Sequence, residues 1–181
     1  MNKKGFSLAE ILIYTTIIVI VGILFSNILI IVTRIQNQQT SSIEVNQQMN
    51  FAMGTIQRLI RESSAIEIAT GTPVSNLKLR TKEAAKDPTN ITLSSGKITV
   101  QQGISAAFDL TTGSVTVNQL SFWKITNYPG RDTVQIDISI SYNTQNPQQQ
   151  FTKIITSMVA RANAATFDSD IVPGSDNAYD M

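Results

Sequence analysis

The chain has 181 residues and a formal net charge of +1, from 14 basic and 13 acidic side chains. It contains neither cysteine nor histidine, which excludes disulfides, thiol nucleophiles, metal sites built on these residues and serine triads that use histidine. Only Lys3, Lys4 and Glu10 precede Arg34, so residues 34–181 contain 12 charges of each sign, and this balance disfavours a nucleic-acid surface that depends on bulk positive charge.

The first predicted element is an apolar helix. Residues 11–33 form a run of 23 residues without a charge, dominated by Ile, Leu and Val. A helix of that length covers roughly 35 Å, enough to cross a hydrocarbon layer of about 30 Å. A secretory signal peptide has a shorter apolar part and a small-residue cleavage site, whereas this run continues into "VTRIQNQQT". We therefore predict a retained transmembrane helix.

The charges that flank this run predict its orientation. Lys3 and Lys4 precede it and only Arg34 follows it closely, so the positive-inside rule places the N-terminus in the cytoplasm and residues 34–181 outside. Glu10 is unexpected at the start of a simple anchor, because a charge costs about 2.5 kcal/mol or more at bilayer depth and less near the interface. This carboxylate calls for a cationic partner.

The N-terminal segment "KKGFSLAE", residues 3–10, resembles the processing signal of type IV pilins and pseudopilins. The shared features are a short basic leader with Lys3 and Lys4, then Gly, Phe, a small hydroxyl residue, Leu and Glu, followed by an unbroken apolar span. The resemblance is close over residues 3–33 and only architectural beyond. It implies that a prepilin peptidase removes a leader of residues 1–5 by cutting between Gly5 and Phe6, and then methylates the amino group of Phe6.

The same resemblance implies a role for Glu10. Cleavage would place a new α-amino group, whose ordinary pKa is near 8, four residues before this carboxylate. In pilins the glutamate is thought to meet the amino terminus of a neighbouring subunit, which would make Glu10 an assembly residue. The implied partners are the peptidase, other pilin or pseudopilin subunits and an inner-membrane assembly platform. The alternative is an interfacial carboxylate solvated by lipid headgroups.

A second, amphipathic stretch follows the apolar run. Its apolar residues recur at steps of three and four and predict one buried stripe on a helix. They are Val45, Met49, Ala52, Met53, Ile56, Leu59 and Ile60. We predict one helix from Phe6 to about Ile66, with a transmembrane part over 6–33 and an amphipathic part over 34–70 that stops before Gly71-Thr72-Pro73. Phe51 is also expected in the core.

Residues 71–165 are expected to form a head of antiparallel strands. "VTVNQLSFWKI" and "TVQIDISISY" alternate apolar and polar residues and are predicted to pair as a hairpin across Pro129-Gly130, with a bulge near Asn118. "ITL" and "ITV" predict a shorter hairpin around Ser94 to Lys97, and "FTKIITSMVARA" predicts the last strand. The predicted fold class is α+β, a long N-terminal helix packed on an antiparallel sheet.

Several side chains outside the helix invite a binding role. Trp123 is expected to pack partly buried rather than to anchor a partner. Asp109, Asp132 and Asp137 match the spacing of no calcium loop. The acidic tail 166–181 lacks Lys and Arg, and two interpretations remain open: a disordered solubilising tail, or a calcium site. The candidate calcium ligands are Asp168, Asp170 and Asp176. No other cofactor is expected.

The leading functional hypothesis is a structural subunit of a type IV pilus or a pseudopilus like that of type II secretion. The large sheet-rich head is similar to those of minor pilins and J-type pseudopilins, which prime or cap assembly. Before assembly such a subunit lies in the plasma (inner) membrane with its head outside. The alternative is a non-polymerising, single-pass extracellular binding module. No acid pair stands out for catalysis, so we expect no enzyme and no direct nucleic-acid binding. Secretion, DNA uptake, adhesion and motility all use such subunits.

Overall fold

One helix dominates the molecule. The computed structural model describes residues 7–126 and 132–162, and within them α1 extends over Leu8–Glu62, 55 residues. All seven residues of the predicted apolar stripe are buried, none more than 8 % exposed. Phe51 is the exception to the predicted core, because it is 60 % exposed. It follows Met49 by two residues, about 200° around the helix, and so lies on the opposite side.

The helix ends earlier than the sequence predicts. It stops at Glu62 rather than near residue 66 or 70, and Ser63 takes an extended conformation with φ −69° and ψ 148°. Both the Ser63 N–H and its hydroxyl donate to the Ile60 carbonyl oxygen, which competes with helical bonding. The following residues form strand β1 instead, so Gly71-Thr72-Pro73 does not mark the helix end.

Within the described residues eight strands follow the helix, and they form two antiparallel sheets, not the single sheet predicted. The first sheet has the order β1-β2-β3-β4-β5 and the second the order β6-β7-β8. The strands are β1 Ala65–Ile66, β2 Asn76–Arg80, β3 Thr89–Ser94, β4 Lys97–Gln102, β5 Phe108–Asp109, β6 Val115–Ile125, β7 Thr133–Tyr142 and β8 Thr152–Ala160. Alternation predicts which residues form strands but not which sheet a strand joins.

The predicted hairpins are confirmed. β6 pairs with β7 from Val115↔Tyr142 to Ile125↔Thr133, and its register shifts between Val117 and Gln119, the bulge expected near Asn118. β3 pairs with β4, with Ser94 opposite Lys97. β8 forms the last described strand. The Pro129-Gly130 turn lies outside the described residues.

The two sheets and α1 enclose one core. The three-stranded sheet packs across the second half of α1, with Val134, Ile136, Ile138 and Ile140 of β7 at most 1 % exposed. Two isolated bridges connect the β1–β2 loop to β6, Thr70↔Lys124 and Val74↔Phe122. The α+β class and the helix-on-sheet packing are therefore confirmed, and only the first half of α1 projects beyond the core.

Candidate functional site

The first turn of α1 presents the carboxylate that the sequence singles out. Ser7 is the N-cap, with an extended backbone, and its carbonyl oxygen accepts from the Glu10 N–H at 3.0 Å and the Ile11 N–H at 3.2 Å. Glu10 is the acidic residue of this turn and is exposed. Since helix N-termini carry partial positive charge, the carboxylate stabilises the start of the helix. Among the described residues no basic side chain forms an ion pair with Glu10.

The first half of α1 is apolar on every side, and no described residue of the subunit buries it. Its large apolar side chains from Ile11 to Val32 are between 43 and 68 % exposed. The most apolar 18-residue window has a mean hydropathy of 2.7 and no buried residue. A soluble helix would show one polar face here. α1 is thus long and apolar enough to cross a membrane.

Hydroxyl side chains of Ser and Thr in this half bond within the helix. The hydroxyls of Thr15 and Thr16 donate to the Leu12 carbonyl oxygen at 3.0 and 2.8 Å, and that of Ser26 donates to the Gly22 carbonyl oxygen at 2.9 Å. An unbonded hydroxyl would be costly in an apolar medium. These bonds lower the cost of surrounding the hydroxyls with lipid.

The structure does not describe the residues predicted for processing. Lys3, Lys4, Gly5 and Phe6 lie outside the described residues, as do Asp168, Asp170 and Asp176 of the tail. The predicted cleavage and the proposed pairing of the Phe6 amino group with Glu10 therefore stay predictions.

The second half of α1 is joined to the head by polar contacts that the sequence analysis missed. The Gln57 side-chain amide donates to the Ser157 hydroxyl at 2.9 Å, and Lys153 donates to Asn46 Oδ1. Gln48 Oε1 accepts from the Thr112 N–H at 3.3 Å. Each of these helix residues borders the buried stripe. Polar residues on the flanks of an apolar stripe could have indicated these links.

The three acidic residues considered for calcium have other partners. Asp109 is paired with Lys97 at 2.7 Å, and Asp132 with Lys124 at 3.1 Å. Asp137 accepts from the Thr156 hydroxyl at 2.7 Å and from the Gln135 amide. The described part of the chain holds no group of three or more Asp and Glu side chains placed to bind a metal ion.

A charged cluster joins β1, β2 and the loop before β3. Glu67 pairs with Lys78 at 2.7 Å and with Arg80 at 3.6 Å, while Arg80 also pairs with Asp87 at 2.8 Å. The hydrogen bond from Lys78 holds the pKa of the Glu67 carboxyl below its ordinary value. These ion pairs connect the first strands of the five-stranded sheet. Their arrangement does not resemble a catalytic pair of acids.

The outer face of the three-stranded sheet carries exposed apolar side chains. Trp123 on β6 is 40 % exposed and lies on the face opposite the core residue Phe122, so it is exposed rather than packed as the sequence predicts. In register across the sheet, Trp123 aligns with Gln135 and then with Met158 of β8, which is 61 % exposed. Ile154 on the same strand is 73 % exposed. This face could bind a partner.

Comparisons of the chain with protein-family models, with curated proteins and with solved structures find no match.

Proposed function

We propose that this protein is a pilin-like structural subunit that is processed in the membrane and assembles with other subunits through the first half of α1. The observation that carries the proposal is the position of Glu10, one carboxylate in the first turn of a helix half that is otherwise apolar and exposed all around.

The exposed apolar half requires an apolar environment. More than twenty consecutive residues without a charge, all unburied, could not remain in water without associating. Lipid satisfies this requirement for a single subunit, and the apolar helices of neighbouring subunits satisfy it in a fibre core. The same surface would thus serve both before and after assembly.

Glu10 would fix how far the apolar helices of neighbouring subunits are shifted along one another. Apolar helices can slide past one another with little change in contact energy, whereas a buried carboxylate is stable only beside a cation. If the chain is cut after Gly5, the amino group of Phe6 in a neighbouring copy supplies that cation. A pair of this kind specifies alignment more than it adds stability.

The second half of α1 also favours side-by-side packing. Residues 35–57 contain a single ionisable side chain, Glu44. The side turned away from the head carries Gln47, Asn50, Phe51 and Gly54, all exposed. A neighbouring helix could cover this side without burying a charge, which would be costly. The size of the head suggests a minor, priming or tip subunit.

The test compares two carboxylates on the same helix. Glu10→Gln and Glu44→Gln each remove one charge, the first inside the apolar half and the second outside it. The full chain would be produced with a prepilin peptidase and companion subunits, and its N-terminus determined by mass spectrometry. We expect both variants to be cut between Gly5 and Phe6 and to reach the membrane, while only Glu10→Gln fails to enter sheared fibres or crosslinked oligomers.

Two results would contradict the proposal. An uncut N-terminus in the presence of the peptidase would remove the processing step, and normal assembly of Glu10→Gln would remove the role of the carboxylate. Either would favour the second candidate, a membrane-anchored binding module that does not polymerise. The exposed Trp123, Ile154 and Met158 on the outer sheet face are the observation that supports such a module.

A further inference from the structure

We propose that the tip of the β7–β8 loop (residues 143–151), around Gln148, lies in the phospholipid headgroup layer of the membrane that α1 crosses, so that the head rests on the bilayer through this tip. The proposal depends on the membrane crossing proposed above, but not on assembly into a fibre.

The position of the loop along α1 is the first observation. Gln148, in the short 3-10 helix Pro147–Gln149, lines a shallow pocket together with Leu29, Ile30, Thr33 and Arg34. No other part of the described head lines this pocket. The loop therefore descends to the last turns of the apolar half and does not stop at the buried stripe, which begins near Ser41.

The length of the apolar helix gives the depth of this contact. From Ile11 to Ile30 there are 20 residues, which span about 30 Å as a helix. That length equals the thickness of a typical hydrocarbon layer. With Ile11 at one boundary, the opposite boundary falls at Ile30, beside Gln148. The headgroup layer adds roughly 5–8 Å on each side, so Gln148 lies within it.

The composition of the loop suits this layer. Residues 143–151 contain no charge and are rich in amides. Amide side chains can donate to phosphate and ester oxygens and avoid the cost of moving an ionised group out of water. They are Asn143, Gln145, Asn146, Gln148, Gln149 and Gln150. Arg34 lies at the same depth and adds one cation for a lipid phosphate.

The backbone of the loop is organised in advance. Asn146 Oδ1 accepts from the Gln148 N–H at 3.0 Å, and the Asn146 carbonyl oxygen accepts from the Gln149 N–H at 3.0 Å. Pro147 has no N–H to satisfy. The Thr144 hydroxyl lies 3.2 Å from Gln149 Oε1. Moving a loop out of water costs less free energy when its backbone groups are already hydrogen-bonded within the loop than when they are free.

A groove beyond this contact, further along α1, combines apolar and amide side chains. It measures about 580 Å³ between α1 and the end of the loop. Ile35, Ile43 and Phe151 form its apolar walls. The remaining lining is Gln38, Gln39, Ser42 and Gln150, which supply amides and one hydroxyl. Its far end at Ile43 lies 13 residues, about 20 Å along the helix, beyond Ile30 and so outside the headgroup layer, which limits the proposed lipid contact to the tip of the loop around Gln148.

The absence of cysteine permits a direct test. Gln148→Cys would carry a fluorescent label on the full chain, reconstituted in phosphatidylcholine vesicles that contain headgroup spin-labelled lipid. Ala69→Cys, exposed in the β1–β2 loop beyond the end of α1, is the matched control. Val19→Cys, in the middle of the apolar half, reports the crossing through lipid spin-labelled on the acyl chain. We expect quenching by headgroup spin label at 148 and none at 69.

The outcomes are distinguishable. One outcome is that the label at position 19 is quenched while the label at position 148 is quenched no more than the control at position 69. This result would overturn the lipid contact and leave the membrane crossing intact. No quenching at 19 would contradict the crossing itself, and the contact with it. A signal at 148 that depends on protein density and not on spin-labelled lipid would show that a second copy covers the loop, which also overturns the inference.

Discussion

The two halves of α1 are one continuous helix with opposite roles. From Leu8 to about Ile35 every large apolar side chain is exposed, whereas from Val45 to Ile60 the apolar residues of one stripe are almost completely buried. Both halves satisfy their backbone through the same helical bonds. The difference lies in what covers the side chains, and it shows that apolar content alone does not tell whether a segment stabilises the fold of its own chain.

The contrast separates folding from association. Removing a buried side chain from the second half or from the head leaves a cavity in a packed core. Removing an exposed one from the first half leaves the subunit's own packing unchanged and affects only what surrounds it. The same substitution made in each region therefore tests whether only the second region stabilises the fold.

The largest effect is expected from a pair of phenylalanines. Phe122 on β6 is fully buried and Phe25 in the first half of α1 is 61 % exposed. Phe122→Ala should lower the free energy of unfolding by about 3–5 kcal/mol through lost burial and a cavity. Phe25→Ala should change it by less than about 0.5 kcal/mol. Denaturant unfolding of the full chain in detergent micelles, followed by circular dichroism, measures both.

Equal losses for the two phenylalanine variants would break the comparison, because Phe25 itself would then have to pack against the head.

A second pair tests the boundary within the helix itself. Met49 is fully buried and Phe51, two residues later, is 60 % exposed. We expect Met49→Ala to cost about 2–5 kcal/mol and Phe51→Ala to be nearly neutral in the isolated subunit. The same unfolding measurement applies. A cost at Phe51 similar to that at Met49 would mean that the helix is rotated relative to the head.

The third test sharpens the comparison at the edge of the buried stripe. Gln57 donates to Ser157 on β8, whereas Gln47 is exposed on the same helix. Gln57→Ala should cost about 0.5–1.5 kcal/mol for the lost hydrogen bond. Gln47→Ala makes the same change in helix propensity and serves as the control. A difference near zero between the two variants would show that this link adds nothing to docking.

The smallest effect concerns the charged cluster beyond the helix end. Because the folded state lowers the pKa of Glu67, ionisation of this carboxyl stabilises the fold at neutral pH. That contribution is lost as the pH falls from the ordinary value of 4.5 through the lower folded value. The melting temperature of Glu67→Gln should therefore lie slightly below that of the unchanged chain at neutral pH and match it in acid.

The control for this pH dependence is Lys78→Gln, which removes the main cause of the shift. In that background the Glu67→Gln substitution should have almost the same effect at both pH values. A pH-dependent gap that persists without Lys78 would assign the shift to Arg80 instead.

Much of the fold could be predicted from local patterns. The stripe from Val45 to Ile60 and the alternation in β7 depend on periods of 3.6 and 2, which adjacent residues determine. The bulge near Asn118 was visible as a break in that alternation. The end of the helix at Glu62 was not visible in the sequence. The Ser63 hydroxyl bonds within its own turn, and the residues after it pair as β1 with β2, up to 15 residues later in the chain.

The candidate site divides in the same way. An uncharged run, one early carboxylate and a basic start are visible in the sequence. They can be read directly because the ability of a helix to cross a membrane depends on its composition and length. By itself the sequence therefore determined the helix, its apolar half and the α+β class. Only the tertiary structure decided that the strands form two sheets and that Gln148 lies beside Ile30, because these depend on contacts between residues far apart in the chain.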